Sequence, residues 1–198
     1  MSTEKTRPGS GEAEAAVRRL LDWMGENPDR PGLAATPARV ARSLARLTDR
    51  DGTNLEDLLA EGIFPAEGSG LVLIRDVEFY SLCEHHLLPF FGRCHVAYLP
   101  AESILGFSRI PRLVNHFARR LQVQERLTRQ IAETLEEAVQ PQGVACIIEA
   151  FHLCMAMRGV EKQQAVAVTS NYRGVFDSDP ARRRELGDLL KARGNFCF

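Results

Sequence analysis

The sequence predicts an α+β domain, an antiparallel sheet with helices on one face, preceded by a helical region. Three observations carry this prediction. Apolar residues up to about residue 70 recur at helical spacing, short β-prone runs appear in pairs from Leu71 onward, and two helical stretches separate the first pair of strands from the second.

Residues 1–11 are rich in Ser, Thr, Lys, Gly and Pro, with little to bury, and are expected to form a disordered leader. Residues 12–70 read as an N-terminal helical region and residues 71–198 as the main domain. Val17, Leu20, Leu21 and Met24 fall at i, i+3, i+4 and i+7, the apolar stripe of a helix ending near Asn27-Pro28. In the next helix Thr36 is an N-cap followed by the first-turn proline Pro37, and Val40, Leu44 and Leu47 continue one face.

Leu71 to Ile74 and Cys94 to Leu99 are β-prone runs that bracket a loop carrying Cys83-Glu84-His85-His86, so a β-hairpin is expected to present that loop. Ile110, Leu113, Val114, Phe117 and Leu121 predict one helix, and Leu127, Ile131, Leu135 and Ala138 another. Strands are expected over Val144 to Cys154 and Ala165 to Ser170, then a last helix from Pro180 to about Leu190.

The 198 residues, 44% of them hydrophobic, suffice for a packed core. Lys and Arg (25) balance Asp and Glu (26), so no net field draws the chain to nucleic acid or to an anionic membrane. Any polyanion must be gripped locally. The sequence has neither a bilayer-length apolar stretch nor the apolar segment of a signal peptide, which predicts a cytoplasmic location. Five cysteines, an odd number, argue for metal binding or burial rather than a disulfide framework.

Cys83 and His86 form a Cys-x-x-His arrangement, in which a thiolate and an imidazole can turn from one tight loop onto one ion, a donor pair suited to zinc. His152 and Cys154, read as strand residues two apart, share a face, and either can be a further ligand. Taking Cys83, His86 and Cys154 gives three protein ligands, the number of a catalytic zinc that keeps a fourth position open, with His85 and His152 beside it. The competing reading makes both cysteines small buried hydrophobes and His86 a hydrogen-bonded core residue. The two half-motifs together, in a chain with five histidines, favour the metal. Cys94, Cys146, Cys197, His95 and His116 are taken as structural.

Ser108, Arg109 and Arg112 stand at a helix start, where free backbone amides favour an anion, and Arg158 follows Cys154 closely. The three arginines can bind a triphosphate, or can simply be solvated surface residues. Gln124 and Glu125 open another helix, where a glutamate also complements the helix dipole. A carboxylate there can instead accept from the ring N–H and the exocyclic amine of guanine, a paired contact that discriminates guanine from adenine by roughly 10⁴-fold.

Ser81-Leu82-Cys83-Glu84-His85-His86-Leu87, Gly106-Phe107-Ser108-Arg109, Gln122-Val123-Gln124-Glu125-Arg126-Leu127-Thr128 and His152-Leu153-Cys154-Met155-Ala156-Met157-Arg158-Gly159-Val160 closely resemble the signatures of GTP cyclohydrolase I in order and spacing. The resemblance spans about Thr36 to Leu190. It implies the tunnelling fold, a toroidal homodecamer with active sites between subunits, and residues 71–198 as the zinc-dependent catalytic domain. It also implies conversion of GTP and water to 7,8-dihydroneopterin triphosphate and formate, the first step towards folate and tetrahydrobiopterin pterins.

By the same resemblance Cys83, His86 and Cys154 match the zinc ligands, and His85 and His152 the catalytic histidines. Ser108, Arg109, Arg112 and Arg158 match the groups that contact ribose and triphosphate, and Gln124 and Glu125 match the guanine pocket. Zinc lowers the pKa of bound water to about 7, and His152 is expected to protonate N7 as the bond to C8 breaks, while His85 and Ser108 assist opening of the ribose.

Some positions depart from the pattern. Arg109 stands where the family usually has lysine, Phe107 where it usually has leucine, and Gln164-Ala165 and Tyr172-Arg173 where small and hydroxyl residues are common. These departures bear on substrate preference. Two rival readings are a paralogue of the same fold that makes another GTP-derived product, and a non-catalytic ring protein with structural zinc. The pair His85 and His152 argues for full turnover, and a formate assay separates the rivals.

Overall fold

The computed structural model describes residues 9–48, 54–68 and 70–192. Residues 1–8 of the expected leader, and Cys197, lie outside the described residues. The chain divides into two compact units, Met1–Asp49 and Arg50–Phe198.

In the first unit α1 (Ser10–Trp23) and α2 (Thr36–Leu47) form a helix pair. Of the stripe predicted for α1 only Leu21 is buried, whereas Leu20 and Met24 lie with Trp23 on the exposed side. Pro37 sits in the first turn of α2, where its missing N–H costs no hydrogen bond. The residue before the helix is Ala35, not Thr36, and it makes no side-chain cap.

The second unit opens with α3 (Leu55–Ala60), capped by the Asn54 side chain, which accepts from Glu56 N. Then come β1 (Ile63–Pro65), β2 (Val72–Cys83), β3 (Pro89–Leu99), β4 (Ser103–Leu105), α4 (Arg109–Ala118), β5 (Leu121–Gln122), α5 (Gln124–Val139), β6 (Gly143–His152), α6 (Leu153–Ala156), β7 (Ala167–Gly174), α7 (Val175–Ser178) and α8 (Pro180–Lys191). The main sheet has the order β5-β2-β3-β6-β7, antiparallel except where β5 runs parallel to β2, and β1 pairs separately with β4.

Alternation along the strands sorts the faces. In β2, Phe79 and Ser81 are buried while Glu78 and Tyr80 are exposed. The buried face carries α4 and α5 through one cluster that includes Phe79, Phe90, Val96, Tyr98, Ile110, Leu113, Leu127, Ile131, Leu135 and Ile148. At the far end of the sheet Ala97, Leu99 and Ala145 pack with Phe176 and Leu186 of α7 and α8. Cys94 and Cys146 are buried free thiols 3.7 Å apart. Gly92 of β3 is required by close approach, since a Cβ there would stand 1.9 Å from Glu149 O.

Four sequence expectations are corrected. The predicted helix through Leu121 stops at Ala118, because Leu121 and Gln122 pair with Leu82 and Cys83 at the sheet edge, leaving Leu121 44% exposed. The strand expected to reach Cys154 ends at His152, and Cys154 lies on the short helix α6. The last strand starts at Ala167 rather than Ala165 and runs on through Tyr172-Arg173, where Arg173 pairs with Glu133 and Glu136 of α5. The expected hairpin is present with longer strands than predicted, β2 running on to Cys83 and β3 starting at Pro89.

Candidate active site

The hairpin loop between β2 and β3 is short and tightly bonded. Cys83 N donates to Leu88 O and Leu87 N to Cys83 O, each at 2.9 Å, with Leu87 in the left-handed region at φ 55°. Glu84 N donates to Gln122 O at 3.0 Å, which ties the loop to β5. The backbone thus turns Cys83, His85 and His86 towards one place.

Cys154 meets them from the turn after β6. One donor atom each from Cys83, His86 and Cys154 lies within 4.8 Å of the others. His152 and Cys154 are not two strand residues on one face, as expected; a strand end followed by one helical turn brings Cys154 to the same place as Cys83 and His86. His85 Nδ1 stands 3.8 Å from Cys83 Sγ, and His152 Nδ1 stands 4.0 Å from Cys154 Sγ. All five residues of the predicted centre therefore gather in one volume.

Two thiols and an imidazole in reach of one ion are a soft donor set that fits zinc, with three ligands rather than the four of a closed structural site. Burial raises the Cys154 thiol above its ordinary pKa, the neighbouring Cys83 sulfur adds to this, and Arg158 pulls the other way. A divalent cation is the charge that would offset that penalty and hold both sulfurs as thiolates.

His152 is held on several sides. Its ring stacks on Phe90 with centroids 4.6 Å apart and planes 4° from parallel. Its Nε2 is 2.7 Å from Gln124 Oε1. Burial pushes its pKa down, and the Glu125 carboxylate pulls it back up, which places Glu125 close enough to act on the ring electrostatically.

Gln124 and Glu125 open α5 as expected, but face different surroundings. Gln124 is 3% exposed, and its amide reaches Ile148 O, Ala167 O and Thr169 Oγ1. Glu125 is exposed and borders a hollow of about 420 Å³ with Thr169, Ser170 and Asn171 of β7. Asn171 Oδ1 is buried there without a hydrogen-bond partner.

Ser108, Arg109 and Arg112 stand together at the start of α4. Arg109 bonds Glu61 through Nη2 and lies over Gly62. Ser108 and Arg112 are exposed, and the Ser108 side chain makes no helix cap. Among the described residues no hydrogen bond or ion pair joins these three to the cysteine and histidine group, whereas Arg158 lies near Cys154.

Sequence reasoning missed two supports. Arg126 holds Glu84 with a two-pronged ion pair, and Thr128 and Thr169 buttress Gln124. Thr128 is one helical turn from Gln124 and so readable from spacing, but Thr169 comes from a distant strand.

The chain is similar to several known proteins. The sequence profile of GTP cyclohydrolase I matches residues 13–191. A protein of Deinococcus radiodurans named GTP cyclohydrolase 1 is 53% identical over 173 residues, 87% of this chain and 80% of the relative. Proteins of the same name from Gloeobacter violaceus and Leptospira biflexa are 50% and 51% identical, covering 98% and 90% of this chain and 91% and 97% of the relatives. A solved structure of the archaeosine synthase QueF-Like in the apo form is 17% identical with a TM-score of 0.47, covering 55% of this chain and 97% of that chain. With the profile matched over most of its length, and relatives sharing half of its residues, the chain belongs to the GTP cyclohydrolase I family.

Proposed function

We propose that this protein opens the imidazole ring of GTP by hydrolysis, releasing formate and forming 7,8-dihydroneopterin triphosphate. The observation that supports it most is the convergence of Cys83, His86 and Cys154 with two further histidines beside them. Zinc is the proposed metal; bound by these three side chains, it supplies Lewis acidity that makes water nucleophilic near neutral pH.

The chain's own residues do the rest. Glu125 accepts from the guanine edge at the mouth of its hollow, and Arg158 meets the negative charge of the substrate beside the metal ligands. His152 carries the proton delivered to N7 as the C8 bond breaks, and half-burial keeps that ring out of bulk water. His85, 63% exposed in its side chain, and Ser108 serve the later ribose opening and ring closure.

Ser108, Arg109 and Arg112 belong, in this reading, to the triphosphate end of a site completed between subunits. Their separation from the cysteine and histidine group in one chain supports that division. The proposed assembly is the tunnelling-fold homodecamer, with residues 71–198 as its catalytic domain, working in the cytoplasm without nucleic-acid or membrane partners. Among the described residues no helix is long and apolar enough to cross a membrane.

The test is product identification. Zinc-loaded protein incubated with GTP is expected to yield 7,8-dihydroneopterin triphosphate by mass. A ring-opened formylated product as the end point would favour the paralogue reading, and unchanged GTP the non-catalytic one.

A further inference from the structure

We infer that Gln124 is a positioning residue that fixes the His152 ring with its hydrogen on Nε2, so that Nδ1 alone faces the metal ligands and the substrate. The inference deepens the proposed function, from which it takes His152 as the proton carrier.

The argument starts from the orientation of one amide. Gln124 Nε2 lies 3.0 Å from Ile148 O and 3.1 Å from Ala167 O, and both are backbone carbonyls that can only accept. The nitrogen of the side-chain amide must therefore face them, since the reverse orientation would set three acceptors against one another in a buried place. Oε1 is then the atom 2.7 Å from His152 Nε2, and an oxygen there can only accept. Nε2 must carry a hydrogen. In a neutral imidazole the other nitrogen is then bare, and in the charged ring Nε2 still donates, so the orientation holds in both states.

The neighbours leave the amide no second arrangement. Thr128 Oγ1 is 2.8 Å from Gln124 O, a carbonyl, so that hydroxyl donates to it. Thr169 Oγ1, 2.6 Å away, donates to Thr128 and accepts from Gln124 Nε2 at 3.1 Å. Thr169 donates to Thr128 and Thr128 to the Gln124 backbone carbonyl, so neither hydroxyl keeps a hydrogen for the Gln124 side chain, whose Oε1 is left to accept from His152 Nε2. Stacking on Phe90 fixes the ring plane, and only one of its two flips puts a nitrogen against Oε1.

This divides the labour of two adjacent residues. The amide hydrogens of Gln124 are committed to Ile148, Ala167 and Thr169, which leaves none for a guanine carbonyl. Exposed Glu125 is the base contact, and buried Gln124 acts through His152. Proton transfer at Nδ1 proceeds without breaking the bond that orients the ring.

The experiment is ¹⁵N NMR of the full-length protein labelled at histidine, metal-free and zinc-loaded, with the His152 signals assigned by their loss in His152→Gln. The expected spectrum has hydrogen on Nε2 of His152 in both forms; hydrogen on Nδ1 with a bare Nε2 overturns the inference. Gln124→Met removes the acceptor at similar size. It is expected to mix the tautomers and to lower kcat for GTP by about tenfold or more, with KM changed by less than about twofold. A raised KM with unchanged kcat would make Gln124 a base contact instead. The ring spectrum needs neither turnover nor a folded Gln124 variant, so it decides the tautomer whatever the GTP assay gives.

Discussion

Arg126 grips Glu84 with both prongs of its guanidinium, Nη1 to Oε2 at 2.6 Å and Nη2 to Oε1 at 2.9 Å. Glu84 lies between Cys83 and His85, and Arg126 follows Glu125, so the pair fastens the cysteine and histidine loop to the first turn of α5. The Arg126 guanidinium holds the Glu84 carboxyl below its ordinary pKa. Both groups meet solvent, so the pair contributes little to stability; its effect is geometric, because a fork on a carboxylate fixes direction as well as distance.

Arg126→Lys keeps the charge and removes the fork. Displacing a reacting group by a fraction of an ångström is costly in rate, so kcat for GTP is expected to fall by roughly tenfold while the melting temperature stays nearly unchanged. Steady-state kinetics beside thermal unfolding checks this. Full kcat in the lysine variant would show that the loop holds its shape without the clamp.

Replacing Cys154 separates metal binding from folding. Wild-type protein is expected to carry about one zinc per chain, and Cys154→Ala to lose both the metal and GTP turnover. Metal analysis and circular dichroism on the same samples read the two effects. Turnover by metal-free protein in a chelator would remove zinc from the reaction.

Glu125 is tested by exchanging its carboxylate for an amide of nearly the same size. As a base contact, Glu125→Gln loses charge-assisted hydrogen bonds worth roughly 1.5–3 kcal/mol each, so GTP turnover should fall by more than about tenfold. As a helix-dipole residue it would lose only about 0.3–1 kcal/mol of stability. Unchanged kinetics with a slightly lower melting temperature would take Glu125 out of the site.

Acid sensitivity is expected from His95. Asp76 sits at φ 60° in the bulge of β2, and its N–H donates to His95 Nδ1 at 3.1 Å. Burial lowers the His95 pKa; Asp76 and Glu149 raise it in part, and Arg93 and Arg75 oppose them. The unfolded chain, titrating near 6.5, then binds more protons than the folded one. The stabilising contribution is complete above about pH 6.5 and is lost as pH falls towards the lower folded pKa. In metal-free protein, the melting temperature should drop less between about pH 7.5 and pH 5 in His95→Asn than in wild type. Equal drops would place the acid sensitivity elsewhere.

The sheet and its helices were legible because their signals are local. The spacing of Ile131 and Leu135 gives α5, and the pairing of β-prone runs gives the hairpin. The gathering of Cys83, His86 and Cys154 was legible for a different reason, since Cys83 and His86 share one turn and Cys154 stands two residues from His152, although the shared strand face expected for that pair is absent. What escaped depends on contacts between distant segments. Leu121 leaves its expected helix because Leu82 pairs with it, and the strand before Cys154 stops where α6 begins. The role inferred for Gln124 rests on carbonyls of Ile148 and Ala167, and a backbone carbonyl has no signature in sequence.

The fate of the C8 carbon of GTP tests the reading most directly, because only hydrolysis at that atom expels it. With GTP labelled with ¹³C at C8 and zinc-loaded wild-type protein, the expected result is labelled formate in proportion to GTP consumed, none of it in the pterin, and none formed by Cys154→Ala. Consumption of GTP with the label kept in the product, or labelled formate from Cys154→Ala at the wild-type rate, would contradict it.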